Sequence, residues 1–196
     1  EYTAKTNITY IFAFDEYMFL LCEGSQGYLG AVYSSIYQTN LLIPDGYKND
    51  IQYSSKYPIY LDMFEQEEKF VVVSCKPDDM SKTYIEVFDI GKSTPIAATE
   101  LEKFMPKVVC LEKGNILAAD DAQIILINSI MEKTDIIKNQ HIIFIKGNEN
   151  NAYGYAIIDG ENRIFKINSE GTLNWEKSSQ ADIQGFMVSQ KKLVTW

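Results

Sequence analysis

Apolar residues recur along this chain at every second position, in short runs separated by polar turn formers. In TYIEVFDI at 83–90, Tyr84, Glu86 and Phe88 fall on one side of an extended strand and Ile85, Val87 and Asp89 on the other, because successive strand side chains point to opposite faces. FVVV at 70–73 and AIID at 156–159 are apolar on both parities, the pattern of strands covered on both faces. Helical periodicity is scarce. The charged stretch FEQEEK, 64–69, is too short to make a stable helix and reads as a strand-to-strand connection.

The strand runs fall into groups of four. In 141–177 they are HIIFIK, AYGYAIID, RIFKIN and TLNWEK; in 107–139 they are KVVCLE, NILAAD, QIILIN and TDIIKN. PIYLDMF, KFVVVSC, TYIEVFDI and PIAATE occupy 58–100, and a looser first copy, ITYIFAF, YMFLLC, YLGAVYSSIY and TNLLIP, lies within 8–44. A partial fifth copy, DIQGFMVS and KLVTW, begins at 182 and runs to 196. Asp159-Gly160 and Asp120-Asp121 stand between the second and third strands of their copies, and Asp-Gly there is a hairpin signal because turns that match strand twist need positive φ. The third strands of copies two to four begin near Thr83, Gln123 and Arg163, a period of about 40 residues, as in four-stranded propeller blades. The expectation is an all-β chain, a β-propeller or partial propeller of about four to five four-stranded blades, forming one domain or part of one over 1–196. The polar stretch 44–56, PDGYKNDIQYSSK, reads as an inter-blade loop.

Ile164, Phe165 and Ile167, the polar turn at Ser169 and Glu170, then Gly171 and Trp175 four positions on resemble the repeat of WD40-like and quinoprotein-like β-propellers. VFDI at 87–90 and LIN at 126–128 echo the same strand end. The resemblance implies a propeller architecture and nothing about a cofactor. The chain has no Trp-Asp dipeptide and no Gly-His pair, and Ser169 stands where a sialidase-type box carries Asp.

Composition sharpens this picture. Of 196 residues, 46% are hydrophobic and 13% aromatic, ample for a core and favourable to strands. A net charge of −9 with Arg163 as the only arginine argues against nucleic-acid binding, which needs clustered cations and bidentate guanidinium contacts. No apolar run approaches the ~20 residues that span a bilayer, so no membrane insertion is expected, and nothing at the start resembles a signal peptide. Cys22, Cys75 and Cys110 are odd in number and lie in or beside apolar runs; they read as reduced, packed thiols. That favours a cytoplasmic chain. The sequon Asn7-Ile8-Thr9 carries the alternative, a secreted or periplasmic one. The chain starts at Glu1 and stops at Trp196 within KKLVTW, and it reads as a piece of a longer or processed polypeptide.

Candidate chemistry is thin. His141 is the only histidine, so any Ser-His-Asp or Cys-His mechanism would have to use it; no partner spacing supports that, and a structural or solvent-facing histidine is the stronger reading. No CxxC or histidine pair offers a zinc site. Asp78-Asp79, Asp120-Asp121, and Asp159 with Glu161 are expected at hairpin tips, where Asp is favoured for local backbone hydrogen bonds, and none follows the oxygen ladder of a calcium loop. Neither GENR nor EGSQG is a phosphate-cradling loop. No catalytic, cofactor-binding or metal site is assigned. Two functions from different classes remain: a non-catalytic scaffold that binds other proteins of a larger assembly, and a small-molecule or sugar-binding propeller, possibly enzymatic, whose funnel is lined by the innermost strands. On those strands only Asp62, Glu112 and His141 are candidates, and the scaffold is favoured. Trp175 is expected on an outer strand, partly buried against aliphatic neighbours.

Overall fold

The computed structural model describes residues 8–14, 17–22, 35–40, 49–51, 53, 57–64, 66–76, 79–148, 150–179, 186–189 and 192–195. Among them there is no α-helix, and all regular structure is strand apart from one short 3-10 turn at Glu112–Gly114. The chain divides into two compact units, Glu1–Phe104 and Met105–Trp196.

The first unit holds two four-stranded antiparallel sheets, each a meander in chain order. One is β1 (Ile8–Phe14), β2 (Tyr17–Cys22), β3 (Ser35–Asn40) and β4 (Asn49–Asp50). The other is β5 (Tyr57–Phe64), β6 (Lys69–Lys76), β7 (Asp79–Asp89) and β8 (Ala97–Leu101). Their shared core gathers Phe19, Ile51, Tyr53, Leu61, Phe70, Val72 and Phe88. Phe70 sits at its centre, 4.6 Å from the ring of Phe19 and stacked at 5.1 Å on that of Phe88. Phe70 and Phe88 are cross-strand partners, as are Leu61 and Val72, so one face of the second sheet supplies this core. On the opposite parity Val71, Val73, Cys75 and Ile85 are also buried, as the doubly apolar pattern of β6 requires.

One feature of this unit departs from expectation. The fourth strand of the first sheet does not fall at 39–44: Thr39 and Asn40 belong to β3, and β4 lies at Asn49–Asp50, inside the stretch read as a loop. Ile51 and Tyr53 just beyond it are buried; two apolar residues in alternation suffice to hold a strand end that is otherwise polar. Glu86, in the middle of β7 opposite Val72, is only 2% exposed. On the same face Ser74 is fully buried and its hydroxyl finds no hydrogen-bond partner among the described residues. FEQEEK is a connection, as read: Glu67 N–H donates to Phe64 O at 3.2 Å, and Lys69 pairs with Glu67 at 2.9 Å.

The second unit repeats the arrangement. Its sheets are β9 (Lys107–Leu111), β10 (Asn115–Ala119), β11 (Ile124–Ile127) and β12 (Lys133–Ile137), then β13 (His141–Asn148), β14 (Asn151–Ile158), β15 (Glu161–Asn168) and β16 (Leu173–Ser179). A two-stranded sheet follows, β17 (Phe186–Ser189) with β18 (Lys192–Thr195). First strands stand side by side, β9 against β13 and β13 against β17. Between the two four-stranded sheets Val109, Leu111, Leu117 and Ile124 meet Ile145, Ala152, Ala156, Phe165 and Ile167. The alternating small residues Ala152, Gly154 and Ala156 of β14 leave room for the larger side chains opposite. Gly147 on β13 marks the closest approach: a Cβ there would lie 2.3 Å from Val109 Cγ1.

The two expected hairpins form with different geometry. Asp159 and Gly160 alone link β14 to β15, at φ 52° and 79°, the doubly left-handed turn that suits strand twist. Asp120 and Asp121 open a four-residue connection from Ala119 to Ile124. There the Asp120 carboxylate accepts the N–H groups of Ala122 at 2.7 Å and Gln123 at 2.8 Å.

Candidate functional site

The most fully built surface structures in the second unit are the turns that join third to fourth strands. Each begins on an asparagine in the tripeptide Ile-Asn-Ser, at 127–129 and at 167–169. Asn128 Oδ1 accepts the N–H groups of Ile130 at 3.1 Å and Glu132 at 2.9 Å. Asn168 Oδ1 accepts those of Glu170 at 3.1 Å and Thr172 at 2.7 Å. Both turns are closed by the same backbone bonds, Met131 N–H to Asn128 O and Gly171 N–H to Asn168 O, each 2.9 Å. The residue at that position is left-handed in both, Met131 at φ 65° and Gly171 at φ 81°. A third strand end is kindred: Lys92 N–H donates to Asp89 O at 3.1 Å beside Gly91 at φ 84°.

The turn at 168–172 docks on the preceding sheet. A Cβ on Gly171 would lie 2.7 Å from Leu126 Cδ2 and 3.2 Å from Ile136 Cδ1, so a larger residue there would have to push those side-chain ends aside in addition to adopting a positive φ. Asn115 Nδ2 donates to Ser169 O at 2.8 Å, and Lys113 Nζ pairs with Glu170 at 2.8 Å. That bond holds the Glu170 carboxyl below its ordinary value and pushes the Lys113 ammonium above its own.

The position equivalent to Glu170 in the turn at 128–132 is Ile130, which is 70% exposed. Two further large apolar groups described in this unit are exposed, Ile143 on β13 at 41% and Trp175 on β16 at 40%, the latter with its ring edge-on to buried Phe165 at 5.7 Å. Trp175 lies on the last strand of its sheet, as expected, but its ring packs against an aromatic neighbour, and it projects further into solvent than a core residue. One framework thus presents an ion pair at one turn and bare apolar surface at the other.

The candidates named from sequence are scattered. His141 opens β13 opposite Ile157 and is exposed. Asp62 lies within β5, where its Oδ1 accepts the N–H of Met63 at 2.9 Å. Glu112 is not on an innermost strand, because β9 ends at Leu111 and Glu112 starts the following 3-10 turn. Asp79 accepts from Ser81 N–H at 3.0 Å and from the Ser81 hydroxyl, bonds that lower its carboxyl pKa; Asp78 lies outside the described residues. Asp121 pairs with Lys107 at 3.2 Å, and Glu161 with Arg163 at 3.2 Å. Cys75 and Cys110 are buried thiols, burial pushing the Cys75 thiol up. The side chain of Cys22, and Asn7 of the sequon, lie outside the described residues. Among the described residues no three His, Cys, Asp or Glu side chains gather as a metal site, and no helix is long and apolar enough to cross a membrane.

Sequence reasoning missed the paired asparagines, although the repeated Ile-Asn-Ser was there to find them. It also missed buried Glu86, for which strand alternation gives no signal of depth.

No protein-family model matches the chain, and no curated protein matches it in sequence. Solved structures do match in shape. A eukaryotic initiation factor superposes with a TM-score of 0.59 at 12% identity, over 88% of this chain and 43% of its own. BBS1N, solved in complex with ARL6DN, gives 0.57 at 14% identity over 99% and 63%. KlAtg21, in complex with the coiled coil of AgAtg16, gives 0.53 at 15% identity over 88% and 57%. The chain spans about half the length of these structures. The likeness, with the succession of four-stranded meanders, shows a β-propeller-type fold.

Proposed function

We propose that this chain is a non-catalytic interaction module, a WD40-like propeller segment that binds another protein within a larger assembly. The observation that carries the proposal is the exposure of Ile130 and Trp175 on a framework whose turns are tied down by Asn128, Asn168 and Gly171. Turns held by a packed scaffold present side chains at fixed positions, and aromatic and aliphatic anchors contribute most where a partner excludes water from them. Two propellers of similar shape, BBS1N and KlAtg21, were solved bound to other proteins, which supports the reading at the level of fold analogy.

The test is affinity capture from source cells of the full-length parent and of Ile130→Asp and Trp175→Ser variants whose circular dichroism matches the parent. Loss of one stoichiometric protein partner in either variant is the expected result. A parent that binds a glycan or small molecule, unaffected by both substitutions, overturns the proposal in favour of a ligand-binding propeller.

A further inference from the structure

We draw no further inference here: the strongest candidate, the outer edge of the two-stranded sheet formed by β17 and β18 after four four-stranded sheets, carries nothing because nothing in the structure shows which strand covers it.

Discussion

Asn128 and Asn168 occupy equivalent places forty residues apart, each taking two backbone N–H groups of its own turn onto one side-chain oxygen. The repeat of this chain is therefore written in side-chain chemistry as well as in strand rhythm. Replacing either asparagine with alanine leaves two turn donors to water and is expected to cost about 1 kcal/mol. Asp, which keeps the acceptor, should cost less. The two asparagines share no hydrogen-bond partner among the described residues, so the double variant should lose close to the sum. Urea midpoints for the four proteins check this; alanine variants as stable as the parent would mean that the turns are held by their backbone bonds alone.

Gly160 and Gly171 separate two reasons for needing glycine. Both have φ near +80°, but a Cβ on Gly160 meets nothing within 4 Å whereas one on Gly171 strikes Leu126. Gly160→Ala should cost about 1 kcal/mol from backbone strain. Gly171→Ala adds overpacking and should cost roughly 2–4 kcal/mol. Thermal melts of the two variants give the comparison, and a Leu126→Ala background should narrow the gap. Equal losses at the two sites would show that the turn at 168–172 shifts away from the preceding sheet at no cost.

Trp175 and Phe165 face each other across β16 and β15, yet only Phe165 is fully buried. Phe165→Ala is expected to cost about 3–5 kcal/mol, the range for emptying an aromatic site in a core. Trp175→Ala should cost only about 1 kcal/mol, the scale of one edge-on aromatic contact. Denaturant unfolding followed by circular dichroism tests the ordering, and a Trp175 loss matching that of Phe165 would place the indole in the core.

The Lys113–Glu170 pair has a definite pH signature. The Glu170 carboxyl is lowered in the folded protein, first by its hydrogen bond from Lys113, so its contribution to stability is present above the ordinary carboxylate value and is lost as pH falls through the depressed one. Lys113 is raised by the same bond; its contribution is complete below the ordinary lysine value and is lost as pH rises through the elevated one. Carbon-detected NMR titration should find Glu170 below the usual ~4.3 for glutamate, and Lys113→Met should return it there. An unchanged Glu170 titration in Lys113→Met would assign the shift to another cause. The pair is solvent-exposed, so added salt should shrink the shift.

What the sequence determined by itself is what depends on neighbours along the chain. Strand alternation, the Asp159-Gly160 turn and the period of about 40 residues all arise from local geometry, and they placed most strands and the fold class. Depth and convergence were decided only by tertiary structure. Nothing local distinguishes Glu86, buried at 2% exposure, from an outward acid in the same alternation, or Ile51 and Tyr53 of a core from loop residues in a polar stretch. Nor could spacing show that Glu112 leaves its strand for a turn, or that Ile130 stays bare where Glu170 finds Lys113. Strand formation is set by residues two apart, whereas burial is set by what another sheet brings from a distant part of the chain.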